Sequence, residues 1–537
     1  MLIIKYVREG GDNFHFLLNR IFRLWPLLLL AGIVCLVYGW QMMLPDDFEN
    51  TAQSVVATNF FGNNILESIT TKNYWDVNND YKPLMHTWYV GLLMQYYVIV
   101  PLFFFQTGRF VKNADKRNKV NIILASLLCL MSLVLYLLPE SAGVKFYYLP
   151  YRLYEFCAGA LVYYILGKSQ SKVDNSLIGK CIFCIVYLTV IALLFVEEGI
   201  VSRQARHLSI VGLTALLIIM MPRIQIARGK FFSNKYIALI GAASYSIFVW
   251  HQVVFAFTRY SFTGNLTDFV PFAAVFIIIA ILSILSYKYI ERVKMKKSVW
   301  IISCLVALLT TGTSLYIYKI AGVVRDVPEL DVVKGNGHRG MWAEYCDRGY
   351  KYDKDFTESP TLKWYVIGNS FGRDIVNVIA ESRVSDVVEI SYSDPYKYKA
   401  EKGRFAKADI VFLSTSGVKE SMIEDIKSRC SKGTRFYVIG EKNFGESNGQ
   451  VYARRYAKDY HQMTVQMEEG YAEKNNRLKA SYPDIYIDLI QIVRQPNGRV
   501  RVFTDDNRFI SQDCRHLTKA GAQYFARKIN WGRFLEK

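Results

Sequence analysis

Two short stretches of the sequence carry residue types that together can perform acyl chemistry. Gly368-Asn369-Ser370-Phe371-Gly372 follows the apolar run Trp364 to Ile367, and Asp513-Cys514-Arg515-His516-Leu517 lies close to the end of the chain. A serine at the tip of a strand-to-helix turn is exposed, and its backbone N–H can help stabilise an oxyanion. Its hydroxyl is a weak nucleophile until an adjacent base takes the proton. Asp-x-x-His puts an acid and an imidazole on one turn, so Asp513 can orient the ring while His516 accepts the Ser370 proton. Ser370, His516 and Asp513 are therefore the expected nucleophile, base and orienting carboxylate. Either motif alone arises readily in loops; their placement at the two ends of one α/β segment makes a site of them.

Three more polar groups lie in or beside long apolar runs: Pro83 to Trp88, Tyr151 to Glu155 followed by Ala158-Gly159-Ala160, and Gly241 to His251. Polar residues at membrane depth are costly, so those that persist line a site or pair with one another. His86, Trp88, Arg152, Glu155, Ser244, Tyr245 and His251 are the candidates. Each also has a plainer role, since Trp and Tyr anchor span ends and Arg152 is three residues from Glu155, close enough for a helical pair.

The elements that must position these residues follow from composition. The chain has 537 residues, 52% hydrophobic and 15% aromatic with only 13 prolines, which excludes a disordered or collagen-like protein. Its nine cysteines are too sparse for a disulfide-built scaffold. A net charge of +19 would suit nucleic acid if it were gathered on one surface. Instead Arg109, Lys112, Lys116, Arg117 and Lys119 cluster between apolar runs, as cytoplasmic loops do, so no nucleic-acid partner is expected.

Residues 1–320 contain nine runs long enough to be read as spans, near 26–44, 88–106, 120–138, 149–167, 180–196, 207–222, 237–258, 268–288 and 298–318. Basic residues mark every second loop: Lys5, Arg8, Arg20 and Arg23, then Lys112 to Lys119, Lys168 with Lys172, Arg223 with Arg228 and Lys230, and Lys294 to Lys297. The start of the chain is therefore expected inside and everything after residue 320 outside. Residues 321–360 read as a linker or lead-in layer. From 361 to 537, short β-branched runs (Trp364 to Ile367, Ile410 to Leu413, Phe436 to Ile439, Ile485 to Ile487) alternate with polar helical stretches, the pattern of an α/β domain with a largely parallel sheet. Cys181-x-x-Cys184 lacks a second pair, and packing explains it better than a metal. Two of Cys346, Cys430 and Cys514 could pair in an oxidising compartment. His207, His338 and His461 have no evident partner.

The membrane motifs resemble the acyltransferase 3 family of integral membrane O-acyltransferases, which includes polysaccharide and O-antigen acetylases. The resemblance is carried by Leu44-Pro45-Asp46-Asp47-Phe48, Pro83 to Trp88, Arg152/Glu155/Gly159, Ser244-Tyr245-Ser246 with Trp250-His251, and Ser286 to Glu291. Arg20-x-x-Arg23 is similar to the family's cytoplasmic Arg-x-x-Arg motif, which implies acyl-coenzyme A as donor; two guanidiniums one turn apart suit its phosphates, and equally suit positive-inside anchoring. The Ser370 and Asp513/His516 motifs resemble the SGNH hydrolase fold, a three-layer α/β domain fused to many such proteins, with Gly-Asn-Ser for the usual Gly-Asp-Ser; for the oxyanion Gly and Asn that the resemblance implies, Gly417 and Asn443 are the candidates.

Two features depart from the family pattern. The family's proposed catalytic His lies in a first membrane helix, and Met1 to Lys5 resembles the tail of the second, so the first spans are expected to be missing. Leu93-Met94-Gln95-Tyr96-Tyr97 stands where acidic residues usually precede Gln-Phe-Tyr. The resemblance implies a bacterial inner-membrane enzyme that moves an acyl group, most simply acetyl, from cytoplasmic acyl-coenzyme A to a hydroxyl of an envelope polysaccharide or lipid-linked glycan, with the outer domain periplasmic. A non-catalytic membrane scaffold or glycan-binding protein, and a membrane-tethered esterase, remain open.

Overall fold

A computed structural model describes residues 13–70, 79–167, 176–196, 200–224, 234–262, 269–293, 296–335, 341–468 and 470–536. Residues 1–5, Arg8, Lys168, Lys172, Arg228, Lys230, Lys294 and His338 lie outside the described residues.

The membrane half is helical: α1 (Asn13–Met42), α2 (Pro45–Asn59), α3 (Asn63–Thr70), α4 (Trp88–Phe110), α5 (Ala114–Leu137), α6 (Leu153–Gly167), α7 (Leu177–Phe195), α8 (Arg203–Met220), α9 (Lys235–Ala242), α10 (Ser244–Ser261), α11 (Phe269–Ser286) and α12 (Lys297–Lys319). A helix stands at each of the nine expected places, but not each is a span. Six helices among the described residues, α1, α4, α5, α7, α11 and α12, are long and apolar enough to cross a bilayer, and α9 with α10, bent by 65° at their junction, adds at most a seventh. The other two fall short for physical reasons. The 15 residues of α6 rise about 22 Å, less than a ~30 Å hydrocarbon core, and α8 opens on Arg203, Arg206 and His207.

Helices α2 and α3 were not expected, because their buried faces are polar. Pro45 suits a first helical turn, where its missing N–H is an orphan anyway, and Asp46 and Asp47 complement the positive helix end. Against α1 and α12, α2 buries Glu49, Thr51, Ser54, Thr58 and Asn59. Hydrogen bonds satisfy this seam, as buried polar groups require. Trp25 Nε1 donates to Asn59 O (3.0 Å), Asn59 Nδ2 to Thr310 and Thr311 Oγ1 (3.0 Å each), and Asn63 Nδ2 to Leu84 O (2.9 Å). Lys82 and Glu67 form a buried ion pair at 3.2 Å.

The C-terminal half is built on a five-stranded parallel sheet, β2-β1-β3-β4-β6, from β1 (Leu362–Ile367), β2 (Val388–Ser393), β3 (Ile410–Leu413), β4 (Arg435–Ile439) and β6 (Tyr486–Ile487); β5 (Thr464–Val465) and β7 (Val500–Arg501) form a separate antiparallel pair. Runs such as Ile410–Leu413 are buried at every residue, as parallel strands covered on both faces must be. Alternate side chains serve two cores: Trp364 and Val366 join one, Tyr365 and Ile367 the other. The domain is thus three-layered. Helix α13 (Ser370–Ala380) follows β1 directly. Residues 321–335 lead into this core, where Val327 is buried and Glu329 O accepts from Phe509 N (2.8 Å). Cys346, Cys430 and Cys514 are all free thiols.

The two halves dock at the C-terminal end of α10. Leu44, just before α2, is buried in the core of the C-terminal domain. A Cβ on Gly449 would lie 2.4 Å from the Tyr260 ring and 2.8 Å from Asp47 Oδ2, so only glycine permits this approach. Tyr81 Oη donates to Glu446 Oε2 (3.3 Å) and receives Gln450 Nε2.

Candidate active site

The strand-to-turn-to-helix passage at Ser370 is forced by close packing. A Cβ on Gly368 would sit 2.0 Å from Ser414 O, so β1 can hand over to α13 here only through glycine. Asn369 caps α13, its Oδ1 accepting from Phe371 N (3.1 Å), which leaves Ser370 at the positive end of the helix. The 511–516 loop comes from the other end of the domain, 146 residues away along the chain, and Cys514 turns it with a left-handed φ of 66°.

The loop delivers His516 Nε2 to 3.1 Å from Ser370 Oγ, while Nδ1 meets Asp513 Oδ2 at 2.5 Å. Asp513 Oδ1 also accepts from the backbone N–H of His516 (2.7 Å) and Arg515 (3.0 Å). Burial would raise the Asp513 pKa, but the His516 ring and these N–H groups outweigh it and hold the carboxyl down at about 2. Ser370 and His516 are each 1% exposed. Serine, imidazole and carboxylate are thus in line to move a proton off the hydroxyl.

Gly417 N–H donates to Glu441 Oε1 (2.9 Å), and Asn443 Nδ2 donates to Glu468 Oε2 (3.2 Å), so these two candidate oxyanion donors are engaged elsewhere.

Two residues beside the triad escaped the sequence reading. Asp374, one turn after Ser370, accepts from Leu517 N (3.2 Å) and pairs with Lys442 Nζ (2.9 Å); both side chains are buried. Lys442 Nζ also stands 3.4 Å from the centre of the Phe371 ring. Asp374 thus ties the helix that begins at Ser370 to Leu517, the residue following His516, and Lys442 neutralises it. The spacing Ser370 to Asp374 was the available signal.

The membrane half brings its candidates together in separate groups. His86 and His251, 165 positions apart, have ring centroids 5.1 Å apart, with Phe248 against both. Arg152 Nε pairs with Glu155 Oε1 (2.9 Å), and the guanidinium lies 5.2 Å from the Trp88 ring. His207, which had no evident partner in sequence, meets Glu155 Oε1 (3.1 Å) and the hydroxyls of Tyr136 (3.2 Å) and Tyr154 (3.4 Å). Tyr245 Oη donates to Leu24 O (2.6 Å), and its neighbour Ser246 donates to Glu291, which the π-helical turn Tyr287–Glu291 presents. Ser244 is exposed and outside these groups. Arg20 is half-buried and Arg23 exposed in the first turns of α1, both within electrostatic reach of Tyr97.

Comparison with known proteins bears on this half of the chain. O-acetyltransferase OatA of Staphylococcus aureus strain NCTC 8325 is 24% identical over 319 residues, 55% of this chain and 50% of its own length; OatA of strain COL gives the same figures. The chain spans about half the length of the curated relatives it matches. No solved structure matches it. Residues 2–288 match the acyltransferase domain that defines the acyltransferase 3 family, more than half of the chain. With α1 to α11 falling in that match, the chain belongs to the acyltransferase 3 family.

Proposed function

We propose that the protein takes an acyl group, most simply acetyl, from acyl-coenzyme A on the cytoplasmic side of a bacterial inner membrane and delivers it to a hydroxyl of an envelope polysaccharide on the outer side. The outer domain, which we read as SGNH-like and periplasmic, completes the transfer. The observation that carries this reading is the Ser370–His516 contact of 3.1 Å beside the joint with the membrane half.

In this scheme the membrane half presents the acyl group to Ser370 as an ester or thioester; His516 takes the Ser370 proton as Oγ bonds to the acyl carbonyl carbon, the carbonyl–oxygen or carbonyl–sulfur bond breaks, and His516 returns the proton to the departing alcohol or thiol. Asp513 holds the ring and offsets its positive charge. A glycan hydroxyl then attacks the acyl-serine, losing its proton to His516, and Ser370 departs with that proton. Arg20 and Arg23, one turn apart, suit the donor's phosphates. The relatives are named as O-acetyltransferases, in keeping with this chemistry.

The test is the alkali-releasable acetate on envelope polysaccharide of a deletion strain carrying either wild type or Ser370→Ala. Wild type should restore acetylation and the variant should not. Full restoration by Ser370→Ala would remove the outer serine from the pathway, and acetate freed to water with none on glycan would mark an esterase.

A further inference from the structure

Two separate cavities are lined by successive residues at the C-terminal end of α10, Ser261 for one and Phe262 for the other. The first, about 350 Å³ and predominantly apolar, lies in the membrane half between α1, α10 and α11. Trp250, Val253, Val254, Phe257, Thr258 and Ser261 line it from α10. Their spacing puts all six on one face, so the groove follows the helix. The eleven steps from Trp250 to Ser261 rise about 17 Å, close to half of a ~30 Å hydrocarbon core, the depth of one leaflet. The groove ends at Ser261.

The next residue, Phe262, lines the second cavity, of about 650 Å³, whose other walls belong to the outer domain. Its character is the opposite. Gln462 and Gln466 offer donors and acceptors alike, Gln450, its Nε2 given to Tyr81, adds an acceptor, and Arg454 and Arg499 are matched in number by Glu446 and Asp459. Hydrogen-bonding capacity without net charge suits the hydroxyls of a sugar better than a phosphate or an acidic peptide. The chain leaving β5 then runs from this cavity toward the triad. Two residues past Gln466, Glu468 accepts from Asn443 Nδ2 (3.2 Å) and Arg515 Nη2 (3.1 Å), the latter adjacent to His516.

We propose that the apolar groove on α10 and the polar cavity above it form one site for a lipid-linked saccharide, with its hydrocarbon chain in the groove and its sugar against the outer domain. A ligand able to fill both must be apolar over one leaflet and hydroxyl-rich beyond it. The inference rests on the acyl-acceptor reading above and narrows the acceptor to glycan still attached to membrane lipid.

The test uses the full chain in nanodiscs of phosphatidylethanolamine and phosphatidylglycerol, with a farnesyl N-acetylglucosaminide carrying a diazirine on its last isoprene unit. Photolabel should fall on α10 or α11, and the unlabelled glycoside should compete at least tenfold better than farnesol or N-acetylglucosamine alone. Gln462→Ala with Gln466→Ala, remote from the groove, should cut labelling at least tenfold. Ile278→Trp, which fills the groove from a position 46% exposed, should do the same. Ser370→Ala should leave labelling unchanged. Equal competition by farnesol, or indifference to the glutamine variants, would mean that the groove holds ordinary bilayer lipid and would overturn the proposal. Labelling as expected with no acyl transfer by wild type keeps the site and sinks the transfer reading; transfer to soluble glycan without labelling does the reverse.

Discussion

Tyr260, in the last turn of α10, donates its hydroxyl proton to Asp47 Oδ2 at 3.0 Å, and that carboxyl lies within electrostatic reach of Asp513, the acid of the triad. Asp46 joins the same group, within electrostatic reach of Glu49, Asp47 and Asp513. The start of α2 therefore abuts the loop that carries the candidate base.

This joint should be sensitive to pH. Burial pushes the Asp47 carboxyl up to about 7, Tyr260 opposing and Asp513 adding to the rise. An unfolded aspartate titrates near ~3.9, so between there and about 7 the folded protein holds the extra proton. The stability tied to that proton is fully present below the unfolded value and is lost as pH rises through the folded one. Asp47→Asn should therefore raise the melting temperature of the purified full chain more at pH 8 than at pH 5. An equal change at both values would show that Asp47 is ionised throughout.

The buried Lys442–Asp374 pair predicts a different response. Lys442→Met leaves a carboxylate alone in the core, at a cost on the order of 3–5 kcal/mol, and Lys442→Met with Asp374→Asn should recover part of it. Thermal melts of the three proteins decide this. A Lys442→Met protein that melts like wild type would show that the pair contributes nothing.

What the sequence revealed and concealed follows from the range of each interaction. The contact of Ser370, His516 and Asp513 was readable because Ser370 follows an apolar strand and Asp513 lies one turn from His516. The strands at Ile410 and Phe436 announced themselves as continuous apolar runs. β2 did not, since Glu389, Ser391 and Ser393 interrupt it, although Ser391 is buried and donates to Lys354 O (2.6 Å). Helices α2 and α3 stayed hidden because buried Glu49, Asn59 and Asn63 read as solvent-facing until their partners are seen. The joint between Asp47 and Asp513 spans more than 460 positions, and no local pattern encodes it.

Arg20 and Arg23 bear on the donor. Replacing both with Lys keeps the positive charge but removes the planar fork. Acyl transfer in cells should fall on the order of tenfold, with the protein still reaching the membrane in full amount. Unchanged transfer would make these arginines orientation signals only.

The central claim is that Ser370 carries the acyl group on its way to the acceptor. It is tested most directly by supplying isotope-labelled acetyl-coenzyme A to membranes containing the full chain, quenching with acid, and searching the digested protein for labelled peptide. The account predicts label on the peptide containing Ser370, none with Ser370→Ala, and loss on the order of 10³-fold in turnover for Ser370→Ala or His516→Ala, not adding in the double variant. Membranes that acetylate glycan at full rate with Ser370 unlabelled, or with alanine in its place, would contradict it.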